Sequence, residues 1–284
     1  MVGRWKLLGW AGAGLLTLVV LAPAGMLWML LHPPQAGGTT TPVELGLAAE
    51  HRRLTTEDGV ELDAWVVEAA NETDSAIVVA HGYPASKADV LPAVAFLAGD
   101  HHLVLVDHRG LGDSEGSTTL GIEEPLDVQA GIEAARAIAG VDRVGLLGFS
   151  MGGAAAIQAA DDADVDALVA QAAYADLGDL AAGSFEGLGP LAHPMGALML
   201  FYGELAGLDP DRARPVEDIG DVEAPILLIH GSEDETIDAD HGRRLAEAAP
   251  EAELWIVDGG THGAAALNPG WGDRVGAFFD DALE

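Results

Sequence analysis

A serine, an acidic turn and a histidine each follow an apolar run, and together they have the side chains needed for nucleophilic acyl transfer. Ser150 has Gly148 two residues before it and Gly152 two residues after it, between apolar residues 144–147 and alanine-rich residues 154–157. This pattern predicts a strand, a sharp turn and a helix with the serine at the apex, a nucleophile elbow. A serine hydroxyl attacks at neutral pH only with a base to take its proton and a third group to orient that base.

The orienting acid is expected after a late strand, because acid and then histidine follow the serine in chain order when it lies on such an elbow. Residues 226–229 are apolar, and the turn after them contains four carboxylates. Asp234 is the best candidate. Spacing alone leaves Glu233, Glu235 and Asp238 open, and a solvated acidic turn is the simpler interpretation of any one of them.

The base is expected on the loop after the next strand, which residues 254–257 predict. His262 lies in that loop, with Gly260 and Gly263 close by. A single loop histidine is usually only a polar surface residue. Its position after Ser150 and Asp234, in the chain order expected with a nucleophile elbow, favours His262 as the general base.

The tetrahedral intermediate needs hydrogen-bond donors for its oxyanion, and loss of one such donor costs about 3 kcal/mol. The backbone N–H of Met151, directly after the serine, is one expected donor. The second should follow the early strand at residues 77–80. We predict the N–H of Tyr83, since Pro84 has none, and expect His81 to shape the loop.

Apolar runs alternate with amphipathic segments, which predicts a mostly parallel sheet covered by helices on both faces. Residues 176–225 contain no clear strand, and we expect a small helical lid at about residues 177–215; an ordinary crossover with a long loop is the alternative. Predicted strands are residues 60–67, 77–80, 103–106, 143–149, 167–172, 226–229 and 254–257, and predicted helices are residues 87–97, 124–139, 151–160, 241–249 and 271–283.

The first 31 residues predict a membrane anchor. Residues 7–31 lack charged side chains, and a bilayer span needs about 20 residues. Arg4 and Lys6 precede the segment, so the positive-inside rule places residues 32–46, a Pro/Gly/Thr-rich linker, and the domain at 47–284 outside the cytoplasm. A cleaved signal peptide is the alternative, although the apolar stretch is longer than usual for one.

The composition excludes several classes of function. The formal charge of −33 would repel nucleic acid, and the absence of cysteine excludes disulfides and thiolate metal sites. No phosphate-binding glycine loop and no metal-spaced histidine pair is visible, so neither a cofactor nor a metal is expected. Scarce lysine and a large negative charge resemble proteins of salt-loving organisms, and we expect lower stability at low salt.

Residues 47–284 resemble the α/β-hydrolase superfamily at four landmarks in chain order: residues 81–84, residues 107–114, the elbow at Ser150, and Asp234 with His262. The resemblance implies a mostly parallel eight-stranded sheet flanked by helices, with a small lid. It also implies that the 107–114 loop is structural, so Asp107 and Arg109 receive no catalytic role. With its N-terminal segment, the chain is similar to membrane-anchored serine hydrolases related to dienelactone hydrolases and prolyl-oligopeptidase catalytic domains.

The expected function is hydrolysis of a small carboxylic ester or thioester through an acyl-enzyme intermediate. One alternative is a serine peptidase acting on short peptides, and another is a non-catalytic binding protein built on the same fold. Apolar lid residues suggest either an apolar pocket or the core of the lid; they are Phe185, Leu198, Met199 and Phe201.

Overall fold

The computed structural model describes residues 2–34, 37–263, 266 and 268–284. These residues form an eight-stranded sheet with the strand order β1-β2-β4-β3-β5-β6-β7-β8. The strands are β1 (Ala49–Thr55), β2 (Glu61–Val67), β3 (Ser75–Ala80), β4 (His102–Val106), β5 (Arg143–Phe149), β6 (Ala167–Gln171), β7 (Ile226–Gly231) and β8 (Glu253–Val257).

Strand β2 pairs antiparallel with both β1 and β4, and the pairs from β4 through β8 are parallel. This arrangement confirms the mostly parallel, eight-stranded sheet. The sequence patterns do not predict β1, because its residues are mainly polar. The side chains of this edge strand are exposed or half-exposed along its whole length, so it lacks the apolar run that identifies the buried parallel strands.

The helices among the described residues are α1 (Val2–Leu31), α2 (Lys87–Val94), α3 (Glu124–Arg136), α4 (Met151–Asp162), α5 (Leu177–Gly183), α6 (Ala192–Leu205), α7 (Pro215–Asp218), α8 (Ala239–Ala248) and α9 (Trp271–Ala282). They include α2, α3, α4 and α9 on the two faces of the sheet, and α1, α5 and α6, which pack with one another away from those faces. The predicted helix at 87–97 ends earlier, at Val94, and continues as a 3₁₀ turn (Ala95–Gly99).

Side chains of one strand alternate between two hydrophobic cores, one on each face of the sheet. Val78 of β3 packs in the core that includes residues of α3 and α4. Its neighbours Ile77 and Val79 pack in the core formed with α2 and α9. Because successive side chains of a strand point to opposite faces, a strand buried on both sides must be apolar throughout.

The region between β6 and β7 contains helices and no strand, and its two longer helices α5 and α6 lie within the expected lid. Helix α1 packs against α6. Within the described part of the chain, no helix combines the length and the apolar character needed to cross a bilayer. The membrane anchor therefore stays a prediction.

Candidate active site

Ser150 lies at the turn between β5 and α4, in a backbone conformation that L-residues rarely adopt (φ +54°, ψ −119°). The flanking glycines make this turn possible. A Cβ on Gly148 would overlap the backbone of Gly152 and Gly153 in the first turn of α4. A Cβ on Gly152 would overlap the carbonyl oxygens of Ala80 and His81. Both glycines are thus required by close backbone approach, which keeps the serine raised above the end of the sheet.

The side chain of His262 lies between Ser150 and Asp234. Its Nε2 is 2.9 Å from Ser150 Oγ, and its Nδ1 is 2.8 Å from Asp234 Oδ2. The three residues follow β5, β7 and β8, whose carboxyl ends lie at the same edge of the parallel sheet. A proton on Nδ1 would be held by the carboxylate, which leaves Nε2 free to accept the serine proton.

Among the four acidic residues of the turn after β7, Asp234 is the one that contacts His262. It is 6% exposed, whereas Glu233, Glu235 and Asp238 are exposed. Asp238 instead caps α8 by accepting a hydrogen bond from the N–H of Asp240. The alternatives that spacing leaves open are therefore separated by burial and distance.

Asp234 is held as a carboxylate. Its Oδ1 accepts hydrogen bonds from the N–H groups of Thr236 and Ile237, each at 2.9 Å, and His230 Nε2 lies 3.5 Å from Oδ2. Burial would raise the pKa of Asp234, but the hydrogen bonds from His230, His262 and Ile237 outweigh it and hold the pKa well below its usual range. The sequence alone indicates no role for His230. Its role becomes visible only in the structure, where it lies against Asp234.

The predicted oxyanion donors border the same cavity as the serine. The loop after β3 approaches the elbow so closely that a Cβ on Gly82 would lie 3.0 Å from Ser150 Cβ. Tyr83 and Met151 both line the cavity that contains Ser150 and His262. Met151 also begins α4, and N–H groups in the first turn of a helix have no partner within that helix.

His81 lies in the same loop and is fully buried. Its Nδ1 is 2.8 Å from the carbonyl oxygen of Gly82, and its Nε2 accepts the N–H of His108 at 3.0 Å. Burial, with a smaller contribution from His108, lowers the pKa of His81 to about 4. A neutral ring that joins two loops fits the predicted role of shaping the loop.

The cavity at Ser150 has a volume of about 260 Å³ and a mainly apolar lining. Among the apolar lid residues named from the sequence, Met199 lines this cavity. Phe185 is buried in the core of the lid beside Met199, and Phe201 is half exposed. Two further lining residues come from α1, Met26 and Leu30. The sequence patterns do not connect α1 with the site.

The loop after β4 holds an ion-pair network. The carboxylates of Asp63, Asp107 and Asp113 lie within 4.8 Å of one another. The ammonium of Lys87, which is 2% exposed, lies 2.7 Å from Asp63 Oδ1 and donates a hydrogen bond to Asp107. The buried cation among these carboxylates is thus a side chain of the protein. Arg109 pairs with Asp127 and Asp58 nearby.

The chain is similar to hydrolases in sequence and in structure. A family model described as the alpha/beta hydrolase fold matches residues 75–187. The uncharacterized protein YfhR of Escherichia coli O157:H7 is 27% identical over 229 residues, which cover 76% of this chain and 74% of that protein. The Pyrococcus furiosus esterase Pf2001 superposes with a TM-score of 0.74 at 25% identity, covering 90% of this chain and 99% of the esterase.

A peptidase shares the fold as well. The Pyrococcus horikoshii acylaminoacyl peptidase superposes with a TM-score of 0.63 at 24% identity, over 84% of this chain and 42% of the peptidase. Esterases and a peptidase thus use the same arrangement of strands and helices, and the fold by itself does not choose between their substrates.

Proposed function

We propose that the chain is a serine hydrolase of the α/β-hydrolase superfamily and that it cleaves carboxylic ester or thioester bonds. The observation that carries this proposal is the hydrogen-bonded series from Ser150 Oγ to His262 and on to Asp234, which opens into an apolar cavity. Ser150 would be the nucleophile, His262 the general base and Asp234 the group that orients His262.

The proposed reaction has two acyl transfers. His262 Nε2 takes the proton of Ser150 as Oγ attacks the carbonyl carbon, and the N–H groups of Tyr83 and Met151 stabilise the oxyanion. His262 then donates that proton to the leaving alcohol or thiol, which leaves an acyl group on Ser150. A water molecule, deprotonated by His262, attacks this acyl-enzyme and releases the acid and free serine.

Covalent labelling with a fluorophosphonate probe tests the proposed nucleophile. Labelling should disappear in Ser150→Ala and fall strongly in His262→Ala. Ser184 is a matched control, because it lines the same cavity but donates its hydroxyl to the carbonyl of Leu180. Ser184→Ala should label normally. Equal labelling of Ser150→Ala and the unchanged protein would refute the proposal.

The two alternatives, a serine peptidase and a non-catalytic binding protein, are distinguished from an esterase by which substrates the protein hydrolyses. The apolar cavity favours an ester with an apolar acyl group over a peptide, whose backbone amides need polar partners. Comparing p-nitrophenyl acetate with an aminoacyl anilide distinguishes esterase from peptidase activity. A protein that hydrolyses no acyl substrate, although it folds with Ser150 intact, would fit the non-catalytic binding protein.

We also propose that α1 attaches the protein to a membrane through the exposed apolar face that does not pack on the lid, with the hydrolase domain on the extracytoplasmic side. The support is the uncharged stretch at 7–31 after Arg4 and Lys6, and a series of exposed apolar side chains along α1. The exposed residues are Trp10, Leu18, Leu21, Trp28 and Met29. The chain should remain in the membrane fraction after an alkaline carbonate wash, and release into the supernatant would refute the attachment.

A further inference from the structure

Helix α1 is docked on the lid along one face of its second half. Side chains on this face recur every three or four residues and pack with buried lid residues; the α1 members include Val19, Ala22, Met26 and Leu30, and the lid members are Phe185, Met195 and Met199. The hydroxyl of Tyr202 in α6 donates a hydrogen bond to the carbonyl of Val20 at 3.1 Å. Apolar packing and a specific hydrogen bond thus hold α1 against the lid.

Two side chains of the docked face reach the candidate active site. Met26 and Leu30, one helical turn apart, line the same cavity as Ser150 and His262. The lid side chains Leu177 and Met199 line it as well. One wall of the cavity therefore comes from a helix more than 100 residues before the serine in the sequence.

The apolar lining continues beyond this cavity. A second cavity of about 40 Å³ shares Leu120, Leu177, Ala181 and Met199 with the first and reaches Leu27, the residue after Met26. Helix α1 thus borders both cavities. An apolar chain extending from Ser150 would meet this helix.

We propose that Met26 and Leu30 form the acyl-chain site and set the length of acyl chain that the enzyme accepts. The inference rests on the proposed serine hydrolase function and adds its substrate class, esters with an extended apolar acyl group. Burial of each methylene against the wall should raise kcat/KM about fourfold. The chemistry at the carbonyl uses other residues, so the wall should affect long substrates and leave short ones unchanged.

The test compares kcat/KM of the full-length chain for p-nitrophenyl acetate, butyrate, octanoate and dodecanoate. Leu30→Trp should narrow the site and lower the octanoate-to-acetate ratio by at least about tenfold. Met26→Ala should widen the site and move the optimum towards longer chains. Met29→Trp is the matched control: it adds the same bulk to the same helix at a position that is 66% exposed, and its ratio should not change.

The ratio of long to short substrates separates this role from a general structural defect. If Leu30→Trp lowers acetate and octanoate turnover equally, or Met29→Trp changes the ratio as much as Leu30→Trp, the acyl-chain site is refuted. If the unchanged protein turns over none of the esters and does not react with the fluorophosphonate probe, the proposed function itself fails. Normal labelling of Leu30→Trp would show that its serine and histidine remain in place.

Discussion

Replacement of Asp234 by asparagine is the sharpest perturbation of the candidate triad. The carboxylate uses Oδ2 for His262 Nδ1 at 2.8 Å and Oδ1 for the N–H groups of Thr236 and Ile237 at 2.9 Å. Asparagine has nearly the same shape but a single oxygen. Two backbone donors hold that oxygen on their side, so the amide NH₂ of Asp234→Asn faces His262.

The consequence is a change of tautomer. An NH₂ group donates, so His262 Nδ1 must accept and the ring proton moves to Nε2, the nitrogen 2.9 Å from Ser150 Oγ. Nε2 then cannot take the serine proton. The equivalent replacement in a serine protease lowers kcat about 10⁴-fold, which corresponds to about 5.5 kcal/mol of transition-state stabilisation. We expect a loss of that size in kcat, with KM little changed.

The assay is steady-state hydrolysis of p-nitrophenyl acetate, together with the rate of fluorophosphonate labelling. Glu233→Gln and Glu235→Gln are matched controls, since they neutralise exposed carboxylates of the same turn. Both should keep kcat within about twofold of the unchanged protein. If the kcat of Asp234→Asn stays within about tenfold of that of the unchanged protein, Asp234 does not orient the histidine. Loss of activity in Glu235→Gln instead would assign that role to Glu235.

The same variant tests the electrostatics of Asp234. Because folding lowers the pKa of this carboxyl, its ionised form stabilises the fold above the pKa of the unfolded chain. That contribution disappears as pH falls through the still lower folded pKa. Asparagine does not titrate. In urea titrations, the free energy of unfolding of Asp234→Asn should therefore decrease less below about pH 4 than that of the unchanged protein. Parallel pH profiles would contradict the lowered pKa.

Four other predictions follow from charge and packing. Gly152→Ala should lower the free energy of unfolding by about 3 kcal/mol or more in urea titrations, because its Cβ would overlap two backbone carbonyls. Lys87→Met should lower the free energy of unfolding by about 3–5 kcal/mol, since it leaves the carboxylates of Asp63 and Asp107 buried without their cation. A decrease of less than about 1 kcal/mol would contradict this. Between pH 7 and pH 5 the free energy of unfolding of the unchanged protein should fall by about 2 kcal/mol more than that of His81→Gln. The reason is that His81 becomes protonated in the unfolded chain, whereas its lowered pKa keeps it neutral in the folded protein; equal losses would refute this. The melting temperature should rise from low to molar salt, because salt screens the charge of −33.

Local patterns predict most of the sheet because the parallel inner strands are buried on both faces and are therefore apolar along most of their length. The missed strand β1 is the exception that fits this reason, since an edge strand can be polar. The elbow is also local. Gly148 and Gly152 are needed because neighbouring backbone segments pass within contact distance, so their spacing around Ser150 carries the information in the sequence.

Other features depend on contacts between distant segments. Spacing offers four carboxylates near residue 234, and burial against His230 and His262 selects Asp234. From the sequence, Lys87 is an ordinary residue at the start of a predicted helix. In the structure its ammonium is buried among carboxylates from other parts of the chain. Such pairings have no periodicity, so nothing in the local sequence marks them.

The sequence by itself determined the order of the strands along the chain, the elbow, and the residue types available for acyl transfer, because these follow from short-range periodicity and backbone sterics. Only the tertiary structure decided which acid orients His262 and what encloses the cavity. Helix α1 shows the difference most clearly. Its apolar residues predict a membrane segment, but the placement of Met26 and Leu30 beside Ser150 depends on packing between helices far apart in the chain.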